Sequence, residues 1–212
     1  MKKTFKWVTL TLLLCIVVPG GYFLNKALPI GTGYSAKYVC SQVFLAGRNP
    51  DQVFQKEVLP THPMFRLVRL TVDNENKMVT AKGFGFWKPM TAVYRPGCGC
   101  TLLVDTDRQT LMDQARNLLP TRPQRTRDPW PEGDHVDLSQ LPAQVDTQKL
   151  HTAVDKAFLE PGPQTRRNTQ AVVVVLGNQV IAEKYAPGFH PDTPFLGWSM
   201  AKSVTCALVG IL

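Results

Sequence analysis

The chain of 212 residues is poor in histidine, in clustered cysteine and in clustered charge. Its four histidines are widely separated. Its closest cysteine pair has C-x-C spacing, which is too tight for a C-x-x-C zinc or redox motif. Lys and Arg outnumber Asp and Glu by 24 to 16 but are scattered, and the densest basic stretch, RPQRTR at 122–127, has no aromatic platform around it. These absences argue against a metal or cofactor site and against a nucleic-acid-binding face.

The N-terminal region lacks charge over residues 7–24, WVTLTLLLCIVVPGGYFL, which follow Lys2, Lys3 and Lys6. A positive segment before an apolar run is typical of a secretory signal, and a run of this length is just sufficient to span a bilayer. A good A-x-A cleavage site is missing, so the pattern favours an uncleaved anchor over a cleaved signal that would release a secreted protein. The lysines place the N-terminus in the cytoplasm and the rest of the chain outside it.

Cysteine usage fits an exported chain. Cys40, Cys98 and Cys100 would then lie in an oxidising compartment, where disulfides persist. A disulfide can join Cys40 to either member of the GCGC pair, and the sequence does not decide which. We expect these three cysteines to be oxidised and Cys206 to remain a free, buried thiol.

Residues 26–119 predict a small α+β region. A short helix is expected over 34–46 and an amphipathic helix over 106–119. Between them, β-branched and aromatic segments bounded by turn residues predict an antiparallel layer. These segments are 64–73, 77–95 and 100–104.

The second half of the chain begins with a Pro-rich connector, residues 120–145. A helix over 146–160 follows, capped by Asp146 or Thr147. Alternating residues around a Gly177-Asn178 turn then predict a β-hairpin over 171–185. A loop leads to GWSMAKSVTCALVGIL, residues 197–212, which predicts a helix that begins near Ser199 and is buried all round.

Ser199 and Lys202 form an S-x-x-K motif at the start of this helix. A serine hydroxyl is a poor nucleophile unless a neighbour takes its proton, and residues three apart on a helix share one face. A lysine serves as that neighbour only when its amine is held neutral, which the expected burial of the helix would achieve. The helix N-terminus would also stabilise negative charge that develops near the serine.

The motif in its context resembles the serine β-lactamase/penicillin-binding-like hydrolase family. The resemblance is carried by the order helix, hairpin, loop and F-x-x-x-S-x-x-K-S, with Phe195, Ser199, Lys202 and Ser203 at the named positions. GWSMAKSVT is most similar to the class C-like branch, which includes esterases and 6-aminohexanoate-dimer hydrolases. AKYVCSQVFLAGR and AVYRPGCGCTL are similar to the N-terminal region of exported hydrolases of that group. The resemblance is specific over 146–212 and looser over 34–104.

The resemblance implies an α+β fold of the β-lactamase type, with Ser199 as the nucleophile, Lys202 as its base and no cofactor. The substrate would be a small ester, amide or lactam, cleaved through an acyl-serine. The protein would be anchored in the bacterial inner membrane through residues 7–24, with the bulk of the chain in the periplasm.

The family also uses a Tyr-x-Asn or Ser-x-Asn element and a Lys/His-Thr-Gly strand, both downstream of the serine helix. Because thirteen residues follow Ser199, we expect the chain to be an N-terminal part that is inactive alone. Its organisation is expected to be an anchor at 1–25, the α+β region at 26–119, the connector at 120–145 and the start of the hydrolase domain at 146–212.

Three other interpretations of the site remain. GWSMA is close to the nucleophile elbow of α/β-hydrolases, but that elbow needs a strand directly before the serine, and PDTPFLG predicts a loop. Ser199 can be a plain helix N-cap beside a solvent-directed Lys202. The chain as a whole can be a non-catalytic, membrane-anchored envelope protein built around residues 34–119. His190 is expected to be a loop surface group.

Overall fold

The computed structural model describes the chain except Met1, residues 117–125 and residues 163–164, and it describes no side chain before Val17 other than that of Cys15. The chain divides into two compact units, Met1–Pro120 and Thr121–Leu212. Both contain helices and antiparallel strands, so the coarse α+β prediction is confirmed.

The first unit consists of one long helix and a four-stranded antiparallel sheet in the order β1-β2-β3-β4. Helix α1 spans Lys2–Phe44, so the helix predicted over 34–46 is the end of a much longer one. The strands are β1 (Val68–Asp73), β2 (Met78–Gly83), β3 (Trp87–Arg95) and β4 (Gly99–Leu102). The predicted antiparallel layer is therefore confirmed.

The strand expected from residue 64 begins only at Val68. The preceding Pro63–Leu67 segment is a 3₁₀-helix, because Pro63 starts the turn and the His62 Nδ1 accepts a hydrogen bond from the Met64 backbone N–H at 3.1 Å. Three shorter helical pieces connect α1 to this turn: α2 (Pro50–Val53), a π-helical turn (Phe54–Val58) and a 3₁₀ turn (Leu59–Thr61).

Helix α3 (Arg108–Ala115) lies within the range predicted for an amphipathic helix, 106–119. Asp107 caps it by accepting a hydrogen bond from the Thr110 N–H at 2.8 Å, as an N-cap aspartate does. Residues 117–119 of the predicted range lie outside the described residues.

The core of the first unit lies between α1 and the sheet. Its fully buried members include Ala36, Val39 and Cys40 on α1, and Val79, Ala81 and Ala92 on the strands. A disulfide joins Cys40 to Cys100, with the two Cα atoms 6.0 Å apart. Cys98 is a free thiol, so the prediction that it is oxidised is wrong.

A buried polar cluster fixes the end of α1, and we call it the Glu57 network. The Glu57 carboxylate forms an ion pair with Arg48 and accepts a hydrogen bond from the Tyr38 hydroxyl at 2.8 Å. Arg48 also donates to the Gln42 side chain at 2.8 Å. Burial raises the pKa of Tyr38, and the bond to Glu57 raises it further. The network therefore connects α1 to the segment that follows it.

The predicted membrane anchor falls largely outside the described side chains, which exclude residues 7–14 and 16. Among the side chains that are described, no helix is long and apolar enough to cross a membrane.

The second unit contains the predicted helix and hairpin. Helix α4 spans Thr147–Ala157 and is capped by Asp146, which accepts a hydrogen bond from the Lys149 N–H at 3.0 Å. Strands β5 (Ala171–Leu176) and β6 (Gln179–Tyr185) pair in antiparallel fashion across the Gly177-Asn178 turn. Gly177 has a φ of +60°, a conformation that favours glycine. Both predictions are confirmed.

The predicted burial of the serine helix is wrong for this chain. Helix α5 (Ala201–Ile211) follows a 3₁₀ turn (Trp198–Met200), and every residue from 198 to 212 is exposed. Apolar side chains of α5 such as Leu208 and Val209 are 59% and 65% exposed. Among the described residues of this unit, the other regular elements are one helix and a two-stranded hairpin, and neither covers α5. Cys206 is free as predicted, but it is exposed rather than buried.

Candidate active site

Ser199 and Lys202 lie on either side of the junction between the 3₁₀ turn and α5. Ser199 is the middle residue of the turn, and Lys202 is the second residue of the helix. The Met200 N–H donates to the Gly197 carbonyl at 2.8 Å, which closes the turn. The backbone before the serine is strained, because Trp198 has a φ of +43°. Strained non-glycine residues of this kind are concentrated at functional sites.

The two side chains are in direct contact. The Lys202 Nζ donates a hydrogen bond to the Ser199 Oγ at 2.9 Å. This distance is within the range that proton transfer between a nucleophile and its base requires. With a neutral amine, the direction of this hydrogen bond would be reversed: the Ser199 hydroxyl would donate, and the lone pair of the Lys202 Nζ would accept.

No carboxylate competes for Lys202 among the described residues. Their ion pairs are Arg48–Glu57, Arg116–Asp113, Lys149–Asp146 and Lys184–Asp155. A pair between Lys202 and a nearby acid such as Asp192 would have opposed the assignment of Lys202 as a base. No such pair is among the ion pairs of the described residues, and the backbone N–H of Asp192 donates to the His190 Nδ1 at 3.2 Å.

The environment of the pair differs from the expectation. Both Ser199 and Lys202 are exposed, whereas a lysine amine is held neutral by burial or by neighbouring positive charge. The chain therefore brings the two side chains into contact but does not bury them.

The structure also bears on the other interpretations of the motif. The residue at the N-cap of α5 is Met200, and no side chain caps the helix, so Ser199 is not its N-cap. Strand β6 ends at Tyr185, and residues 186–197 separate it from the turn that holds the serine. The strand that a nucleophile elbow needs is therefore not directly before Ser199.

The other residues named around the motif lie at different places in this unit. Ser203 and Cys206 are exposed on α5, and Phe195 stacks on Phe189 with ring centroids 5.6 Å apart. His190 belongs to a tight turn in which its N–H donates to the Thr193 hydroxyl at 3.0 Å. The described contacts of His190 do not reach the serine, in agreement with its expected place on a loop.

A cavity of about 350 Å³ in the second unit is lined by the connector and the β5–β6 turn rather than by the serine. Its lining residues are Pro129, Trp130, His135, Val136, Asp137, Asn178, Gln179 and Val180. The side-chain hydroxyl and the backbone N–H of Ser139 both donate to Asp137, and they hold the pKa of that carboxyl below its ordinary value. No spacing in the sequence indicated this cavity, because its two sides are about forty residues apart in the chain.

Within the described ranges, no group of three or more His, Cys, Asp or Glu side chains is placed to hold a metal ion. No family model, curated protein or solved structure matches the chain.

Proposed function

We propose that the chain is the N-terminal part of a membrane-anchored serine hydrolase related to the β-lactamases, with Ser199 as its nucleophile and Lys202 as its base. The observation that supports this most is the 2.9 Å hydrogen bond between the two side chains at the start of a helix. The strained backbone at Trp198 supports it further.

The proposed reaction is acyl transfer to water. The Ser199 Oγ attacks the carbonyl carbon of an ester, amide or lactam while its proton passes to a neutral Lys202 Nζ. The proton then passes to the leaving alcohol or amine as the carbonyl–heteroatom bond breaks, which leaves an acyl-serine. Water attacks this ester, gives a proton to Lys202 and releases the carboxylic acid, and Ser199 regains its hydrogen from the amine.

In this proposal the exposed face of α5 is covered by the rest of the hydrolase domain. Such a cover would bury Leu208 and Val209, and it would remove water from around Lys202. Desolvation favours the neutral form of a lysine amine, so the same event would complete the fold and activate the base. The 212-residue chain alone is accordingly expected to be inactive and poorly soluble, because it exposes these apolar side chains.

The second candidate is a non-catalytic envelope protein anchored by residues 7–24. The observation that favours it is that Ser199 and Lys202 are exposed and do not line the cavity found in this unit.

Hydrolysis assays on two proteins distinguish the candidates. The 212-residue chain, and the same chain extended by the coding sequence that follows it, are each tested with p-nitrophenyl esters and with a chromogenic cephalosporin. The hydrolase proposal expects no turnover by the short chain. It expects turnover by the extended chain, and Ser199→Ala should abolish that turnover. An extended protein without turnover would favour the envelope protein. Ser199-dependent turnover by the short chain would refute the expectation that it is inactive alone.

A further inference from the structure

The turn between β2 and β3 carries three aromatic side chains, and we call residues 84–87 the aromatic turn. Phe84 is 45% exposed and Phe86 is 77% exposed, and Trp87 is half-buried. The Phe84 and Trp87 rings stack with centroids 6.4 Å apart. The backbone of the turn is held by a hydrogen bond from the Phe86 N–H to the Gly83 carbonyl at 3.1 Å. The structure therefore presents an ordered apolar tip rather than a loose loop.

Helix α1 leaves the sheet beside this turn. Leu28 packs so closely on β2 that a Cβ atom added to Gly83 would lie 2.8 Å from the Leu28 Cδ2. One turn further along α1, the Thr32 hydroxyl donates to the Lys88 carbonyl at 2.9 Å. At the other end of β3, Phe44 packs on Tyr94. Because α1 and β3 run in the same direction, the helix before Leu28 extends past the end of the sheet that carries the aromatic turn.

Between residues 17 and 23, the described side chains of α1 are apolar and exposed. They include Val17, Val18, Tyr22 and Phe23, which belong to the proposed anchor at 7–24. Leu28 is four positions after Leu24, which corresponds to a rise of about 6 Å along a helix. The headgroup layer on each side of the hydrocarbon core is about 5–7 Å thick. The aromatic turn therefore lies at the level of the headgroups when residues 7–24 span the bilayer.

Two basic residues lie next to the aromatic turn, and neither pairs with an acidic side chain among the described residues. Arg69 on β1 is directly opposite Lys82 on β2, and none of the ion pairs among the described residues involves either one. A Cβ atom added to Gly85 would lie 3.9 Å from the Arg69 Cγ, so the Arg69 side chain reaches the aromatic turn. Like charges directly opposite one another destabilise a sheet. An anionic group bound between them would relieve that cost.

We propose that the aromatic turn inserts into the headgroup region of the membrane that holds the anchor, with Arg69 and Lys82 binding lipid phosphate groups. Aromatic side chains are enriched at this level of a bilayer, and basic residues near an anionic surface bind it. The contact gives the first unit a second attachment point beside α1 and fixes its orientation on the membrane. The inference rests on the proposed anchor and is independent of the hydrolase activity.

The test compares the two ends of the same sheet. Phe86→Cys places a label in the aromatic turn, and Asn74→Cys places one in the exposed β1–β2 turn at the opposite end. Both are made in the full chain with serine at the free cysteines Cys15, Cys98 and Cys206, and labelled with an environment-sensitive nitrobenzoxadiazole dye. The proteins are reconstituted into phosphatidylcholine vesicles with and without phosphatidylglycerol, and with nitroxide groups near the lipid headgroups.

The dye at position 86 is expected to shift to shorter emission wavelength and to be quenched by the nitroxide lipids, whereas the dye at position 74 keeps its aqueous emission. Quenching at 86 should increase with phosphatidylglycerol, and an Arg69→Gln/Lys82→Gln variant should lose that increase. Vesicle flotation of the same samples reports the anchor separately. Floating protein with an unquenched dye at 86 would overturn the insertion but not the anchor, whereas protein that does not float would overturn both. A phosphatidylglycerol response that survives in the double variant would overturn the role of the two basic residues.

Discussion

Cys98 and Cys100 differ in their backbone position, and this difference decides the disulfide. Cys100 lies in β4, pairs with Tyr94 across the sheet and is buried against α1. Cys98 lies in the turn before the strand, between Gly97 and Gly99, which both have positive φ. Alternation along a strand would have placed both sulfurs on one face. The C-x-C spacing alone could not show that the strand begins between them.

Replacing the two cysteines separately tests this assignment. Cys100→Ser should lower the free energy of unfolding by about 2–4 kcal/mol, because it removes a crosslink across 60 residues. Cys98→Ser is the matched control and should change stability by less than about 0.5 kcal/mol. Urea denaturation measures both, and intact-mass thiol labelling should show Cys40 and Cys100 protected until reduction. Equal destabilisation by the two variants would refute the Cys40–Cys100 pairing.

Among the elements, α1 depends on the Glu57 network to hold the chain that follows it. The network joins Tyr38 and Gln42 on α1 to Arg48 and Glu57 beyond it. Such a cluster could not be predicted from the sequence, because its members lie 4 to 19 residues apart without a recognisable spacing. The helices and strands themselves were largely predictable, since caps such as Asp107 and Asp146 and the Gly177 turn are local signals.

The Glu57 network predicts a loss of stability at alkaline pH. The pKa of Tyr38 is raised in the folded chain, so its neutral hydroxyl contributes stability that is fully present below the ordinary tyrosine pKa of about 10. This contribution is lost as the pH rises from there through the raised pKa. Tyr34, whose pKa burial and Glu57 also raise, acts in the same direction.

Tyr38→Phe should therefore reduce the alkaline decrease in unfolding free energy, and it should cost about 1.5–3 kcal/mol at neutral pH through the lost hydrogen bond to a carboxylate. Urea denaturation at pH values from 7 to about 11 measures both effects, because this pH range spans the ordinary tyrosine pKa. Tyr94→Phe, which removes a hydroxyl outside the network, is the matched control. The network would lose its assigned role if the two variants behaved alike.

Helix α5 shows where the sequence was misleading. Its apolar composition predicted burial, but burial depends on what lies opposite a helix, and that cannot be read from the helix itself. The contact between Ser199 and Lys202 was predictable, because a spacing of three residues fixes it locally. Its exposure was not, because exposure depends on the surroundings of the whole element.

At the scale of the whole molecule, the proposed anchor would decide on which side of a membrane the chain after it lies. An alkaline phosphatase fusion placed after Pro120, at the end of the first unit, should be active and should fractionate with membranes. Replacing Lys2, Lys3 and Lys6 by glutamine should reduce that activity, because positive residues keep the N-terminus in the cytoplasm. A soluble, shortened product would show a cleaved signal instead, and an inactive fusion would refute export.

Acylation of Ser199 tests the proposed nucleophile and the proposed base most directly. The chain extended by the coding sequence that follows it, which the proposal expects to complete the domain, is treated with a fluorophosphonate, and the rate of labelling is followed by peptide mass spectrometry. We expect the label on Ser199. Lys202→Ala should lower the labelling rate by about 10²–10⁴, as the removal of a general base does. Ser203→Ala should label at a rate near that of the wild type. Lys202→Arg should be as slow as Lys202→Ala, because arginine keeps the charge but does not deprotonate. Labelling at another residue, or a Lys202→Ala variant that labels as fast as the wild type, would contradict the assignment.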